Sequence, residues 1–125
     1  MSFLQVFKSL FTSAPRVDPA EAAPRVRTGA AVIIDVREPR EWAAGVAKDA
    51  ALLPLSDLTG DRVQWQPFLA AHAGKELLVY CAAGGRSGIA ARILVGEGLP
   101  AANAGSFSAW AASGWPVVKP GGGRK

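Results

Sequence analysis

The chain has 125 residues, of which half are hydrophobic and 19% are charged, so it can build the core of one domain and is not a wholly disordered chain. Its apolar runs are far shorter than the roughly 20 residues that a membrane-spanning helix needs. A single cysteine and a single histidine exclude an internal disulfide and a zinc site built from several thiolates, so we expect a reducing, cytoplasmic location, no metal and no cofactor.

Basic side chains outnumber acidic ones by 14 to 10, which gives a net charge of +4 and a pI near 9.7. The basic residues are spread along the chain without a run of five like charges, so a nucleic acid is not an expected partner. The charge is better explained as a mild preference for small anions.

Residues 1–17 are predicted to be an N-terminal extension. Five apolar side chains recur there at helical spacing: Phe3, Leu4, Phe7, Leu10 and Phe11. They fit a short amphipathic helix that docks on the domain, which we favour, or a surface anchor; a membrane is not an expected partner. Lys8 interrupts the apolar stretch, which argues against a signal peptide. Residues 119–125 are predicted to be a flexible basic tail.

Residues 18–118 are predicted to form one α/β domain. The first helix begins after Asp18 as N-cap, is shortened or kinked by Pro24 and ends at Gly29. Apolar, largely β-branched runs predict four strands, at residues 31–36, 51–53, 76–80 and 101–104. Further helices are predicted at residues 38–44, 66–72, 88–97 and 106–112, and a loop at 56–60. This alternation favours a parallel sheet covered by helices on both faces.

The segment after the third predicted strand carries the candidate chemistry. It reads Cys81-Ala82-Ala83-Gly84-Gly85-Arg86-Ser87, and a helix follows. The amide N–H groups of such a loop and of the first helical turn lack helical partners and can converge on the sulfur or on an anion beside it. The helix dipole and Arg86 add positive charge, so we expect the pKa of Cys81 to be lowered. The alternative is an inert cysteine buried at a strand end.

A thiolate held in this way can serve two chemistries. In phosphate-ester hydrolysis through a phosphocysteine, five residues separate the cysteine from the arginine, whereas four separate Cys81 from Arg86. The shorter loop makes a smaller pocket, which is better matched to a single sulfur atom. We therefore favour sulfur transfer, in which the thiolate becomes a persulfide and no general base is needed. The only histidine, His72, lies in a different predicted helix and is not expected to act in catalysis.

Four parts of the chain resemble the single-domain rhodanese-like sulfurtransferases. They are residues 32–38 (VIIDVRE), residues 41–45 (EWAAG) with 53–55 (LPL), residues 78–87 (LVYCAAGGRS), and residues 103–106 (NAGS) with Trp110 and 114–117 (GWPV). The resemblance implies a three-layer α/β fold, with a small, mostly parallel five-stranded sheet and helices on both faces. The sequence departs from the family at Val46, where histidine is usual, and we expect altered packing there rather than lost catalysis.

The resemblance also implies the residues of the site. Persulfide chemistry falls on Cys81, and Asp35 and Arg37 support the site from the neighbouring strand end. The alternative for Asp35 and Arg37 is a local ion pair or a solubility role. Substrate contacts are implied for the side chain of Arg86 and for the loop amides of Ala82, Ala83, Gly84, Gly85 and Ser87.

Three functions are consistent with these residues and with the resemblance. The favoured one is a sulfurtransferase that moves sulfane sulfur from a small anionic donor such as thiosulfate to cyanide or a thiol. The chain has no second cysteine, so the acceptor thiol must come from outside. The second is a persulfide carrier or binding module whose partner is a protein thiol. The third, a phosphatase or arsenate reductase on the same scaffold, is disfavoured by the loop spacing.

Overall fold

A computed structural model describes residues 13–120 of the protein. Within these residues the helices are α1 (Pro19–Arg27), α2 (Pro39–Trp42), α3 (Leu55–Leu58), α4 (Trp65–Ala71), α5 (Gly85–Gly96) and α6 (Phe107–Ala112). The strands are β1 (Ala31–Asp35), β2 (Val46–Ala47), β3 (Ala51–Leu52), β4 (Glu76–Cys81), β5 (Ala101–Ser106) and β6 (Val117–Val118). The predicted amphipathic helix near the N-terminus and most of the predicted basic tail lie outside the described residues.

Four parallel strands form the main sheet, in the order β3-β1-β4-β5. The connections between them contain helices, as parallel strands require. The carboxyl ends of all four strands therefore meet at one edge, and the register of β1 against β4 pairs Asp35 with Tyr80, the residue before Cys81. This edge brings the predicted site residues of both central strands into one region.

The expected sheet of five strands is wrong in its count. Among residues 13–120 the main sheet has four strands, and β2 and β6 pair antiparallel in a separate two-stranded ribbon. Strands of two residues are too short to leave a periodic pattern in the sequence. In addition, the segment before α1 runs parallel to β5: Arg16 bridges to Asn103, and the N–H of Asn103 bonds to the carbonyl of Pro15 at 2.9 Å.

The core has one layer on each face of the sheet, as expected. On one face, α3, α4 and α5 pack Leu58, Trp65 and Leu94 against Ile34 and Val79. This face also contains Cys81. The sheet is therefore shielded from water in the way that hydrophobic parallel strands require.

On the opposite face, α1 and α6 cover Tyr80 and its neighbours. Trp110 of α6 is fully buried and meets Trp115 edge to face, with the ring centroids 5.2 Å apart. Both indole N–H groups are satisfied, by the carbonyls of Ala104 and Lys48 respectively. The two tryptophans thus fix the last helix and the β2–β6 ribbon on the core.

Most predicted helix ends are confirmed. Asp18 caps α1, because its Oδ1 accepts the N–H of Glu21 at 3.0 Å, and Gly29 follows the helix with a φ of +83°. Pro24 lies inside α1, which nevertheless continues to Arg27. The carbonyl that loses its helical donor to this proline belongs to Ala20, an exposed residue of the first turn that water can reach.

Two predicted boundaries are wrong. Residues 56–60 were expected to be a loop, but most of this segment belongs to α3 or its cap. The helix after Cys81 was expected from residue 88 and begins at Gly85. The two glycines have low helix propensity and favour a loop, but Ser87 gains bonds to the sulfur in the helical position. Gly85, Arg86 and Ser87 are therefore the first turn of α5.

Candidate active site

Cys81 is the last residue of β4, at the carboxyl edge of the sheet. Its side chain is 1% exposed, because β4 is a central strand with helices packed on both faces. The chain turns sharply at Gly84, whose φ of +98° lies in the left-handed region that glycine adopts without strain. Gly84 is also the N-cap of α5, so the first turn of that helix begins beside the sulfur.

Three hydrogen-bond donors converge on the Sγ atom of Cys81. The N–H of Gly84 lies 3.0 Å from it, and the N–H and hydroxyl of Ser87 each lie 3.3 Å from it. Burial raises the pKa of the thiol and is the largest single effect, but the bonds from Ser87, Ala83 and Gly84 together outweigh it. The pKa of Cys81 is therefore lowered, in the direction expected from the sequence. The lowered pKa favours the nucleophilic thiolate.

The predicted loop contacts divide into two groups. Gly84 and Ser87 bond to the sulfur, and the nearby N–H of Ala83 also helps to lower the pKa of Cys81. Ala82 and Gly85 are exposed at the surface of the loop, and among the described residues neither is bonded to Sγ. The N–H of Gly85 is in the first turn of α5 and has no helical acceptor. The loop thus bonds the sulfur through Gly84 and Ser87, and it presents the N–H of Gly85 near the surface.

Asn103 is a site residue that the sequence reasoning missed. It is buried at 7% exposure on β5, and its Oδ1 accepts the hydroxyl of Ser87 at 2.8 Å and the N–H of Gly105 at 3.0 Å. Its Nδ2 donates to the carbonyl of Gly84 at 3.1 Å. Asn103 therefore holds both residues that bond to the Cys81 sulfur. The signal in the sequence was an amide in the middle of an otherwise apolar strand.

The Ser87 hydroxyl has one proton and faces three acceptors, of which the carbonyl of Gly105 at 3.5 Å is the most distant. It lies 2.8 Å from Oδ1 of Asn103 and 3.3 Å from Sγ of Cys81, and it can donate to only one of them at a time. When the sulfur is a thiolate, the charge favours donation to Sγ, and Oδ1 keeps the N–H of Gly105. When the sulfur is protonated, the hydroxyl can return to Asn103.

The guanidinium of Arg86 forms an ion pair with Glu41. Its Nη1 and Nη2 bond to the two carboxylate oxygens of Glu41, at 2.6 and 2.8 Å. The bonds from Arg86 hold the pKa of Glu41 at about 2, well below its usual value. Glu41 also accepts the N–H of Glu38 at the start of α2. Arg86, the predicted contact for an anionic substrate, is therefore paired with Glu41, whose role was not predicted from the sequence.

Asp35 and Arg37 lie one strand away from the loop, and both are buried. The Arg37 guanidinium bonds to both oxygens of Asp35 and to the carbonyl of Gly45. Tyr80 donates its hydroxyl to Asp35 at 2.7 Å and accepts the N–H of Ala47 at 2.9 Å. Asp35 and Arg37 thus form the local ion pair that was one of the predicted alternatives. Through Tyr80 and the backbone of residues 45 and 47, this pair connects β1, β2 and β4 beside the site.

Val46, where a histidine is usual, is buried in β2 and pairs with Val118 of β6. His72 ends α4, stacks on Phe68 with the ring centroids 4.0 Å apart, and lies 2.9 Å from the Phe68 carbonyl through Nδ1. It makes no contact with the Cys81 loop.

Within residues 13–120, no group of three acidic, histidine or cysteine side chains is arranged to hold a metal. No helix in this range is long and apolar enough to cross a membrane.

The site is a buried thiol at the end of a parallel strand, with donors from the loop and the helix start on its sulfur and a lowered pKa. The profile of the rhodanese-like domain matches residues 18–113. The chain therefore belongs to the rhodanese-like domain family.

Solved structures agree with this assignment. A rhodanese-related protein of Thermoplasma volcanium is 30% identical and superposes with a TM-score of 0.69, over 83% of this chain and 97% of that chain. The human single-domain sulfurtransferase TSTD1 is 28% identical, with a TM-score of 0.65 over 79% and 96%. A Rhodopseudomonas palustris protein described as a possible tyrosine phosphatase is 26% identical, with a TM-score of 0.70 over 91% of both chains.

Proposed function

We propose that the protein is a sulfurtransferase that moves sulfane sulfur from a donor such as thiosulfate to cyanide or a thiol, through a persulfide on Cys81. The observation that carries the proposal is the convergence of the Gly84 and Ser87 donors on Sγ. These donors stabilise a thiolate without a neighbouring base. Membership of the rhodanese-like family and the likeness to a human sulfurtransferase support the same class of reaction.

The first half-reaction loads the sulfur. The Cys81 thiolate attacks the outer sulfur of thiosulfate, an S–S bond forms to Sγ, and the S–S bond of thiosulfate breaks so that sulfite leaves with its electron pair. The persulfide adds one sulfur at the mouth of the loop, where Ala82 and Gly85 are exposed. The N–H of Gly85, which has no helical acceptor, is suited to bond this outer sulfur.

The second half-reaction unloads the sulfur. Cyanide attacks the outer sulfur of the persulfide, thiocyanate forms, and Sγ leaves as the thiolate that the loop already stabilises. A thiol acceptor takes the sulfur in the same way and becomes a persulfide itself. Because Cys81 is the only cysteine in the chain, the acceptor comes from outside it. The single unpaired thiol also supports a reducing, cytoplasmic location.

We further propose that Arg86 positions the anionic donor while Glu41 fixes its guanidinium plane. Glu41 occupies one N–H of each Nη, which leaves the other N–H groups of Arg86 for an anion. Replacing Arg86 with alanine is expected to raise the KM for thiosulfate more than it lowers kcat. An unchanged dependence of the rate on thiosulfate concentration would contradict this role.

The proposal is tested by the intact mass of the reduced protein after incubation with thiosulfate. We expect a gain of one sulfur atom, its removal by cyanide, and the appearance of thiocyanate. Cys81→Ser is expected to gain nothing, and Ser108→Ala, at an exposed serine outside the loop, to behave as the wild type. No gain on a demonstrably free thiol would refute thiosulfate as the donor, and a gain retained by Cys81→Ser would refute the site.

Two alternatives make different predictions. A persulfide carrier would transfer sulfur quickly to a protein thiol and slowly to cyanide. A phosphatase, for which the Rhodopseudomonas palustris likeness is the specific observation, would hydrolyse an aryl phosphate in a reaction that depends on Cys81. The four-residue spacing between Cys81 and Arg86 argues against the phosphatase, and clear hydrolysis would reverse that preference.

A further inference from the structure

A basic groove lies beside the catalytic loop on the side of α5. It has a volume of about 640 Å³, and three arginines from three different places in the fold line it: Arg16, Arg86 and Arg92. Arg16 lies in the extended segment along β5, Arg86 in the first turn of α5, and Arg92 two turns further along that helix. This volume lies within the range of roughly 300 to 1000 Å³ that is typical of small-molecule sites, so it can hold a few side chains of a larger ligand.

The charge of the groove is uncompensated within its own lining. Among residues 13–120, none that lines it is acidic. Within residues 13–120 the ion pairs are Arg25–Glu76, Arg37–Asp35, Arg62–Glu97 and Arg86–Glu41. Arg16 and Arg92 are exposed and belong to none of them. Two guanidinium groups therefore face the groove with their bidentate donor edges available for carboxylates.

The shape of the groove depends on glycines. Gly84, Gly85 and Gly88 line it, and a Cβ atom on Gly88 would lie 3.4 Å from Nδ2 of Asn103 and 3.8 Å from Nη1 of Arg92. The missing side chains leave the backbone open to a ligand. Ile89 adds an apolar contact at 42% exposure.

The groove is continuous with the reaction site through Gly84. This residue lines the groove, and its N–H lies 3.0 Å from Sγ of Cys81. A peptide segment bound in the groove therefore lies next to the loop that carries the sulfur, so a thiol a few residues along that peptide can approach Cys81.

We propose that this groove docks an acidic segment of a partner protein that carries the acceptor thiol, an inference that rests on the proposed sulfur transfer. Charge complementarity selects carboxylates, because the described part of the lining contains arginines and no acidic residue. A thiol acceptor has to come from outside the chain, because the chain has one cysteine, and a nucleic acid cannot supply one. The exposed Ile89 adds apolar contact that a small anion could not use.

Binding is measured without sulfur chemistry. The probe is a labelled peptide with one serine flanked by glutamates, and its control has glutamines in their place. We expect the glutamate peptide to bind the unloaded protein at least about tenfold more tightly at low salt, and this preference to weaken as salt is added. Arg16→Glu with Arg92→Glu is expected to remove the preference.

A matched variant controls for net charge. Lys48→Glu with Lys119→Glu makes the same change in charge at exposed residues that follow β2 and β6, on the α6 side of the sheet. We expect this variant to keep most of the preference. Both variants are loaded fully with thiosulfate before transfer is measured, so that a slower approach of the anionic donor does not enter the transfer rate. Transfer to the cysteine form of the glutamate peptide should slow at least about tenfold in the groove variant only.

The outcomes separate the two proposals. Equal binding of the two peptides, or equal losses in the groove variant and the Lys48/Lys119 variant, would overturn the docking site even if the persulfide forms. The wild-type protein could instead fail to load sulfur but still prefer the glutamate peptide, with the preference lost in Arg16→Glu with Arg92→Glu. That result would overturn the sulfurtransferase and support the groove as an acidic-peptide site. If Arg16→Glu disturbs folding, Arg92→Glu alone, which sits on an exposed helix position, should still show a partial loss.

Discussion

The Ser87 hydroxyl is the side-chain donor to the Cys81 sulfur, and removing it tests how the loop activates the thiol. Ser87→Ala deletes the hydroxyl 3.3 Å from Sγ and leaves the N–H groups of Gly84 and Ser87 in place. The hydroxyl bond is the largest of the effects that lower the pKa of Cys81. We therefore expect the pKa of Cys81 to rise in the variant, since burial continues to oppose the charge.

The size of the effect follows from the geometry. A hydrogen bond to a charged group contributes about 1.5 to 3 kcal/mol, and about 1.4 kcal/mol corresponds to a tenfold change in an equilibrium. In the protonated state the same hydroxyl can bond to Oδ1 of Asn103 at 2.8 Å, so part of this energy is not lost with the variant. We expect the lower end of the range, which is about a tenfold smaller thiolate population below the pKa.

The assay is the rate of alkylation of the protein by iodoacetamide as a function of pH, followed by intact mass. The single cysteine makes each added group report on Cys81. Ser87→Ala should react about tenfold more slowly on the acid side of the profile and approach the wild-type rate at high pH. Ser108→Ala is the matched control. A profile for folded Ser87→Ala that coincides with the wild type would refute the reasoning, because the backbone N–H groups alone would then set the pKa.

Three further variants test the supporting contacts. Asn103→Ala leaves the carbonyl of Gly84 and the N–H of Gly105 without their partners, and it should lower the free energy of unfolding by about 1 to 3 kcal/mol in urea. Asp35→Ala leaves a buried guanidinium unpaired and should cost about 3 to 5 kcal/mol. Glu41→Gln should be less stable than the wild type above about pH 4.5, with a difference that shrinks as the pH falls towards about 2.

Each of these expectations has its own control. For Asp35→Ala it is Asp61→Ala, at an exposed residue, which should change the free energy of unfolding by no more than about 0.5 kcal/mol. An Asp35→Ala loss of that size would mean that the Asp35 network adds no stability. For Asn103, an unchanged free energy of unfolding would show that water replaces both lost bonds. For Glu41, the sign is set by a folded pKa below the ordinary value, so a difference independent of pH would contradict the ion pair with Arg86.

The sequence predicted the parts of the site whose causes are local. A hydrophobic strand ending in Cys81, followed by two glycines and a helix, predicted both the place of the thiol and the direction of its pKa shift. Seven consecutive residues contain that geometry, so no knowledge of the rest of the fold was needed. The four strands of the main sheet and five of the six helices also followed from local apolar patterns and caps, as the Asp18 cap of α1 illustrates, whereas β2, β6 and α3 did not.

Only the tertiary structure decided which distant residues reach the loop. Asn103 is 16 positions from Ser87 and meets it because β5 lies beside β4 in one particular register. Glu41 is 45 positions from Arg86 and meets it because α2 follows the neighbouring strand β1 to the same edge of the sheet. Register and helix placement are set by the packing of both faces of the sheet at once, and local sequence patterns do not specify them.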